Sequence, residues 1–312
     1  MAEFRHIPVL ASQVLKALAP KSGGIYIDGT LGGAGHSSLI LEQSGPDGFL
    51  LGIDRDRDAL QAAAARLQPY AGRFTLVQGN YADMDKLARN AGLDAADGIL
   101  LDIGVSSFQL DEAERGFSYN HDAPLDMRMD RSQGRTAADL VNQASAQELS
   151  RILYQYGEEK WSARIAQFIV DERARQPVTG TGQLVEIIKK AVPAGAREKD
   201  QHPARRTFQA LRIAVNGELE ALDRGLDAAI SLLKPGGVLA VITFHSLEDR
   251  LVKDRFRLHA TDCVCPPRQP VCTCGHKADI RLYNRRPITA DEEELNSNPR
   301  SRSANLRAAI KL

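Results

Sequence analysis

The sequence lacks several features that would place it in a special class of protein. Its 312 residues include one tryptophan and only 5% aromatic residues, and 40 acidic residues balance 40 basic ones. The longest apolar run, 238–244, is far too short to cross a bilayer. The N-terminal segment lacks the apolar core and cleavage site of a signal peptide. We therefore expect a cytoplasmic protein, in which any surface that binds nucleic acid must be a local patch.

Cysteine is absent from most of the chain. The four cysteines follow the pattern C-x-C, six residues, C-x-C, at Cys263, Cys265, Cys272 and Cys274. This local cluster differs from the disulfide framework of a secreted protein. Four thiols suffice for a tetrahedral zinc site, although the spacing is tighter than the usual C-x-x-C, and free or redox-active thiols are the other interpretation. The sequence leaves both open, so we assign no metal ligand from it and predict only that the cluster supports a loop.

The first hundred residues alternate short apolar runs with helical patterns. The runs predict strands over 24–28, 49–54, 74–78 and 98–102. This alternation is typical of a parallel, doubly wound sheet. The next hundred residues instead place apolar side chains three and four apart, with few strand signals, which predicts helices.

The α/β alternation then returns and continues to the end of the chain. We predict a helix over 218–233, a strand over 238–244 and a helix over 246–258, and further strands over 280–284 and 305–309, the last at an edge of the sheet. The sequence thus predicts a discontinuous α/β domain of residues 1–111 and 211–312, with a mostly helical insertion over 112–210.

A glycine-rich segment, 28–37, follows the first predicted strand. Glycines let the backbone approach a ligand closely, and the N-terminus of the next helix presents free N–H groups. Ser38 stands where the dinucleotide pattern G-x-G-x-x-G requires its third glycine, which argues against a dehydrogenase. Asp28 suits the ammonium of an amino-acid-like cofactor better than a pyrophosphate. A tight turn without a ligand is the alternative.

Three side chains follow the next strands, where they could complete a cofactor site. Asp54 ends the second strand, where a carboxylate can accept hydrogen bonds from both ribose hydroxyls. Tyr81 follows the third strand and offers a ring to an adenine, with a half-buried packing role as the alternative. Asp102 ends the fourth strand, at the edge of the sheet where reacting groups gather.

Six motifs in order, and the tail of the chain, resemble the ribosomal RNA small-subunit methyltransferase H family, also called MraW. These segments are 28–37, 101–111, 114–118, 124–130, 206–213, 244–250 and 298–303. The resemblance covers nearly the whole chain and implies a Rossmann-like class I methyltransferase with a helical inserted domain that helps to bind RNA. It also implies S-adenosylmethionine as cofactor and N4-methylcytidine in the decoding region of 16S rRNA as product, with the small ribosomal subunit as the expected partner.

The resemblance further implies which residues bind the cofactor. The matching positions are Ala34, Gly35, His36, Asp54, Tyr81, Asp102 and Gln109. Ala34 replaces an expected glycine, which requires only that its φ be negative. Phe108 replaces an expected proline in the loop that carries Gln109.

The loop after Asp102 restricts the chemistry of such an enzyme. It contains no cysteine nucleophile, which methylation of a ring carbon of cytosine would require, so a nitrogen or oxygen acceptor is expected. An exocyclic amine reacts more easily when acceptors hold its N–H groups, and Asp102 with nearby carbonyls could provide them. We therefore take Asp102 as the candidate catalytic residue, although the usual amino-methylase signature of an acidic or amide residue before Pro-Pro-aromatic is absent.

Five further side chains in the matching motifs have two interpretations each. For the arginines, contacts with RNA and internal ion pairs are both open, and His245 could touch substrate or make an internal hydrogen bond. The residues concerned are Arg115, Arg128, Arg206, Arg212 and His245.

Other functions remain as alternatives to rRNA methylation. A methyltransferase acting on protein or on a small molecule would use the same cofactor site. An assembly factor that binds rRNA and keeps the site as a relic is a second alternative, which the intact glycine-rich segment and Asp102 disfavour.

Overall fold

The computed structural model of the chain describes residues 8–106, 109–110, 112–197 and 201–312. The chain forms two compact units, one of residues 1–104 and 219–312 and one of residues 105–218. The domain boundary predicted at 210 would divide a helix, Arg205–Asn216, that lies whole in the second unit.

The first unit contains a seven-stranded sheet in the order β3-β2-β1-β4-β5-β7-β6. Its strands are β1 Ile25–Asp28, β2 Phe49–Asp54, β3 Phe74–Gln78, β4 Ala96–Asp102, β5 Leu233–Thr243, β6 Ile280–Leu282 and β7 Asn305–Lys311. The pairs among β1 to β5 are parallel, and β7 is antiparallel to both of its neighbours. The predicted Rossmann-like class I methyltransferase fold is confirmed.

The helices that the structure describes are, in chain order, α1 Ala11–Leu18, α2 Gly35–Gln43, α3 Arg57–Leu67, α4 Met84–Asn90, α5 Ala137–Gln143, α6 Ala146–Gly157, α7 Ser162–Arg173, α8 Thr181–Ala191, α9 Arg205–Asn216, α10 Glu218–Leu232, α11 Ser246–His259 and α12 Glu292–Ser297. None of these described helices has the length and apolar character that a membrane span requires. Together with several short 3-10 turns, they surround the sheet of the first unit and form most of the second.

Alternating side chains of the strands form two separate cores in the first unit. Ile27, Ile99 and Val241 belong to one buried cluster, while their chain neighbours Tyr26 and Leu100 belong to another. Successive side chains of a strand point to opposite faces, so a strand that is apolar at every position must be covered on both faces. The continuous apolar runs of the sequence therefore correspond to a sheet with apolar cores on both sides.

Strand β7 is not the edge strand that the sequence predicted. It lies between β5 and β6 and pairs with both, through Ala240–Ala308 on one side and Arg281–Ile310 on the other. Its buried Leu306, Ala308 and Ala309 suit a position inside the sheet. The three-residue β6 takes the edge instead, where a short strand leaves few backbone groups unpaired.

Strand β5 begins earlier than predicted. The sequence predicts a helix to residue 233 and a strand only from residue 238, but the ladder with β4 already starts at the pair Ala96–Leu233. The register shifts between Ala96 and Gly98, and Gly236 has a φ of 82°. Between the pairs that Ala96 and Gly98 form, four residues of β5 stand opposite one residue of β4, so β5 bulges by three residues and the turn becomes part of the strand.

The second unit has a helical core of its own, built from α5 to α9. The stretch 137–153, which reads as one apolar pattern in the sequence, is two helices, because the chain turns at Ala144 and restarts at Ser145. The Ser145 hydroxyl accepts a hydrogen bond from Glu148 N–H at 3.1 Å and so caps α6. Buried side chains from these helices, such as Leu149, Ile165 and Leu211, form one cluster.

Candidate functional site

Three carboxylates predicted for the site lie at one edge of the sheet in the first unit. Asp54, Asp28 and Asp102 end β2, β1 and β4, which are neighbours in that order and run parallel. The carboxyl ends of parallel strands meet at one edge, so the three side chains are brought together by topology. The predicted His36 joins them from the first turn of α2, with its Nε2 3.7 Å from Asp102 Oδ2.

The glycine-rich turn combines two glycines that serve different purposes. A Cβ on Gly29 would lie 2.6 Å from Leu101 Cδ2 and 3.0 Å from Tyr81 Cβ, so the absence of a side chain allows the turn to pack on the sheet. A Cβ on Gly33 would meet nothing within 4 Å. Gly33 is exposed and leaves open space above the backbone, as close approach by a ligand requires.

Ala34 does not have the negative φ that the sequence analysis expected. Its φ is 56° and its ψ 31°, in the left-handed region, where it is the N-cap residue of α2. The side chain is fully buried in the apolar core. Left-handed backbone costs an alanine about 1–2 kcal/mol, and the compact turn between β1 and α2 imposes it here, at a position where the family pattern has glycine.

Asp28 holds the turn together instead of facing a ligand. It is only 1% exposed, and it accepts hydrogen bonds from the Ser37 hydroxyl at 2.6 Å and from Thr30 N–H at 3.1 Å. Burial raises its pKa to about 6, against the effect of these hydrogen bonds. The ammonium-binding role considered from the sequence is therefore not supported, since its carboxylate is enclosed by the turn.

Asp54 connects the second strand to the same turn. One carboxylate oxygen accepts from Gly32 N–H at 2.8 Å, and the other accepts from Asp56 N–H at 2.9 Å. Burial raises the pKa of Asp54, and the two backbone donors act in the opposite direction. Each carboxylate oxygen has a further lone pair, so the position remains suited to ribose hydroxyls.

Asp102 has a pKa that is raised further than that of Asp28. Burial raises its pKa to about 8, and the neighbouring charges of Asp28 and Glu248 add to the shift. Its Oδ1 is buried and has no hydrogen-bond partner among the described residues, while the side chain as a whole is 27% exposed. A buried acceptor without a donor is costly, and such perturbed groups cluster at functional sites.

Glu248 is the residue of this region that sequence analysis missed. It lies almost fully buried in the first turn of α11, and its Oε2 accepts from Phe244 N–H at 2.8 Å and from His245 N–H at 3.2 Å. Its Oε1 lies 2.9 Å from His245 Nε2. His245 and Glu248 thus form a capping box, which favours the internal role for His245; the spacing of the two residues was the available signal.

Tyr81 has the packing contact that was its alternative interpretation. It begins the short 3-10 turn after β3, and its ring lies against α10, where a Cβ on Gly225 would approach Tyr81 Cδ2 to 2.5 Å. Gly225 therefore has no side chain at the place where the ring packs. This contact fixes the position of the ring after the third strand.

Gln109 belongs to the second unit, whereas the other predicted cofactor residues belong to the first. Its side-chain Oε1 accepts from Ser106 N–H at 3.1 Å, and its backbone N–H donates to the Ser106 hydroxyl at 3.2 Å. The motif residues Ser107, Phe108 and Asp111 lie outside the described residues, and so does the proline replacement noted at position 108.

The four arginines of the motifs make different internal contacts in the second unit. Arg128 forms a bidentate pair with Asp126, at 2.7 and 3.0 Å, and the Arg115 guanidinium donates to two backbone carbonyls, of residues 128 and 129. Arg212 pairs with Glu218 through two hydrogen bonds of 2.8 Å. Arg206 is half-buried and donates to the carbonyl of residue 158 at 3.2 Å.

Comparison with known proteins covers both units. Residues 3–312 match the model of a family described as the MraW methylase family. A ribosomal RNA small subunit methyltransferase H from Symbiobacterium thermophilum is 58% identical over 99% of this chain and 97% of its own length. The proteins of that name from Citrifermentans bemidjiense and Heliobacterium mobile are each 55% identical, over 100% and 99% of this chain and 100% of their own lengths.

Proposed function

The chain belongs to the MraW methylase family, and we propose that it methylates the N4 amino group of a cytidine in the decoding region of 16S rRNA. It is a methyltransferase that uses S-adenosylmethionine. The observation that carries the proposal is Asp102 at the end of β4, a half-buried side chain whose buried Oδ1 has no hydrogen-bond donor among the described residues. The full-length similarity to rRNA methyltransferases supports the choice of RNA as acceptor.

The described residues of the first unit fit the cofactor. Gly33 leaves open space above the turn, and Asp54 offers carboxylate lone pairs for the ribose hydroxyls. The cofactor has a net positive charge, because its sulfonium adds to an amino-acid group that carries both an ammonium and a carboxylate. A cationic group of the cofactor near Asp102 would favour the ionised form of Asp102, which burial now disfavours. We infer that Gly35, His36 and Tyr81 line the same site, in keeping with the family pattern.

Asp102 has a defined task in the proposed reaction. The cofactor supplies a methyl group on a positively charged sulfur. The exocyclic amine of cytosine is a weak nucleophile because its lone pair is delocalised into the ring, so a group that accepts its N–H bonds and orients it lowers the barrier. Asp102 Oδ1 can accept one such bond, and no base is needed before transfer, because the proton leaves a nitrogen that has become positively charged.

We propose that the helical second unit helps to bind the RNA. It carries Arg206, an arginine of the matching motifs that lies on α9, and guanidinium groups are well suited to phosphate oxygens. The target cytidine must be unpaired or rotated out of its helix to reach a buried carboxylate. An enzyme with a ribosomal substrate is expected to act in the cytoplasm.

Transfer of labelled methyl groups to separated acceptors tests this assignment. The pure protein is incubated with methyl-labelled S-adenosylmethionine and, separately, with small ribosomal subunits from cells lacking the activity, with ribosome-free protein extract, and with a small-molecule extract. We expect label only in the RNA of the subunits. Label in the protein or the small molecules would contradict the RNA assignment, and cofactor binding without transfer to any pool would favour an assembly factor.

A further inference from the structure

The cysteine cluster lies in a loop that has no apolar core to hold it together. The loop runs from Thr261 to Asp279, between α11 and β6, and none of these residues, all of which the structure describes, is buried. Val264 and Val271 are instead exposed on its surface. Folded backbone of this length without a core usually requires a covalent or metal staple, because its ordering entropy is not offset by burial.

The base of the loop is fixed to the first unit by polar contacts. His259 Nδ1 lies 2.9 Å from Asp279 Oδ1, and Asp279 N–H donates to the His259 carbonyl at 3.0 Å. Lys311 Nζ lies 3.1 Å from the other carboxylate oxygen of Asp279. The loop therefore leaves and rejoins the fold at one point. These contacts hold the base of the loop but not its far part, residues 262–275.

The four sulfur atoms converge in that far part of the loop. All lie within 4.8 Å of one another, with Sγ–Sγ distances of 3.5 Å for Cys263–Cys272, 4.0 Å for Cys265–Cys272, 3.6 Å for Cys272–Cys274 and 3.9 Å for Cys263–Cys274. Four sulfurs placed about 2.3 Å from a central zinc ion form a tetrahedron with edges of about 3.8 Å. A disulfide would require about 2.05 Å, so the arrangement matches the metal and not the oxidised pairs.

The backbone around the sulfurs also suits thiolates. The backbone N–H groups of Val264 and His276 act on Cys274 Sγ, and that of Thr273 acts on Cys265 Sγ, and each of them favours the thiolate form. Gly275 adopts a φ of 61°, a left-handed conformation that turns the chain directly after the last cysteine. Backbone donors to metal-bound sulfur are the outer contacts that hold and tune such ligands.

We propose that Cys263, Cys265, Cys272 and Cys274 bind one structural zinc ion, which holds the far part of the loop together. Each thiol gives up its proton to become a ligand, so binding releases protons and no electron transfer is involved. All four positions are taken by protein, which leaves no open site for substrate or water and makes the zinc structural. Glu248, whose charge acts on Asp102, lies in the first turn of α11, and the cysteine loop follows the other end of this 14-residue helix. At about 1.5 Å per residue the helix is about 21 Å long, so the metal is not expected to take part in methyl transfer.

Metal analysis of the untagged protein, purified without chelators, is the first test. We expect about one zinc per chain by mass spectrometry of the metal content, and native mass spectrometry should show the same zinc adduct with four reduced cysteines. A protein that contains no zinc, even after reduction and incubation with zinc, would overturn the proposal. So would a chain lighter by four hydrogens, which indicates two disulfides, or one that holds iron in place of zinc.

Single substitutions test the ligand assignment. Cys265→Ser should lower zinc retention by at least about tenfold, since a hydroxyl is a much poorer zinc ligand than a thiolate. Val271→Ala, in the same loop with a side chain 70% exposed, is the matched control and should retain its zinc. Cobalt in place of zinc should give the visible absorption of a tetrahedral tetrathiolate in wild type and in Val271→Ala, and lose that spectrum in Cys265→Ser. An unchanged cobalt spectrum in Cys265→Ser would contradict four-cysteine ligation.

Replacement of all four cysteines by serine separates the metal site from the catalytic one. The variant should contain no zinc, be cut more readily by protease within residues 262–275, and bind S-adenosylmethionine within about twofold of wild type. If it remains folded by circular dichroism but loses cofactor binding or methyl transfer, the purely structural role is wrong. Because zinc content is measured on wild type, failure of this variant to fold would not affect the test of the metal itself.

Discussion

Among single residues, the proposed methyl transfer depends most on Asp102. Its pKa is raised to about 8 because it is buried near two other carboxylates. A carboxyl whose folded-state pKa exceeds its unfolded value stabilises the fold at low pH and loses that contribution as pH rises through the folded pKa. At pH 8 and above, the ionised Asp102 therefore lowers the free energy of unfolding of the cofactor-free protein.

Replacing this carboxyl by an amide should separate stability from activity. We expect Asp102→Asn to raise the free energy of unfolding of the cofactor-free protein at pH 8 by on the order of 2 kcal/mol, because an amide has no charge to desolvate. Solvent reaches 27% of the side chain, which keeps the gain small. Methyl transfer should fall by at least about a hundredfold. Urea unfolding at pH 5 and pH 8 would show the difference growing with pH; a constant difference would contradict the raised pKa.

The same pKa predicts a pH dependence of cofactor binding. A cationic ligand favours the ionised form, so binding near pH 7 should release up to about one proton and strengthen as pH rises towards 8. Calorimetry in two buffers of different ionisation enthalpy measures that proton directly. The release should be absent in Asp102→Asn, and a wild type that releases none would show that this carboxyl is not coupled to the ligand.

Asp54 offers a second test of the site. Removing its carboxylate in Asp54→Ala loses the proposed ribose contacts and the hydrogen bond that holds Gly32 N–H, and should weaken S-adenosylmethionine binding by about 10- to 100-fold. The exposed Asp58 in the first turn of α3 is the matched control, and Asp58→Ala should leave affinity within about twofold. Calorimetry decides, and equal affinities for the two variants would rule out the ribose assignment.

These residue-scale features differ in how far sequence could anticipate them. Asp54 and Asp102 were predictable because each ends an apolar run, and parallel strands bring their carboxyl ends together. The left-handed φ of Ala34 was not, because the closure of the turn overrides the preference of an alanine. The internal use of Asp28 by Thr30 and Ser37 depends on three-dimensional contacts that no local pattern records.

Among the elements, the turn between β1 and α2 contains one glycine that packs against the sheet and one that faces open space. Gly29→Ala places a methyl group 2.6 Å from Leu101 Cδ2 and should destabilise the protein by about 1–3 kcal/mol. The Cβ added by Gly33→Ala meets nothing within 4 Å. The thermal midpoint of this variant should therefore stay within about 2 °C of wild type, while its affinity for the cofactor should fall. Thermal unfolding and calorimetry on both variants test this, and an unchanged affinity in Gly33→Ala would mean that no ligand approaches there.

Element-scale prediction worked where local periodicity decides the structure. The predicted bounds of β2 and β3 match the observed strands because a short buried run between turns has few alternatives. The edge position predicted for β7 was wrong, because strand order depends on long-range pairing that periodicity does not contain. The division of 137–153 into two helices was missed since apolar spacing continues across the Ser145 cap.

For the whole molecule, substitution of Arg206 tests whether the second unit takes part in RNA binding. Arg206→Glu should raise the KM for small ribosomal subunits by about tenfold or more, because repulsion replaces attraction to phosphate. Cofactor affinity should not change. Arg175→Glu, on a side chain 78% exposed in the same unit but outside the matching motifs, is the control. Equal KM values for the two variants would contradict an RNA contact at Arg206.

Identification of the labelled nucleoside is the direct test of methylation of a cytidine at N4. Small ribosomal subunits from cells lacking the activity are incubated with the protein and methyl-labelled S-adenosylmethionine, and the purified 16S rRNA is digested and separated by liquid chromatography with mass spectrometry. We expect one labelled nucleoside that co-elutes with N4-methylcytidine and lies in a decoding-region fragment. The same experiment with Asp102→Asn should give no such labelled nucleoside. Label in 5-methylcytidine, in a 2′-O-methyl ribose or in another base would contradict methylation at N4.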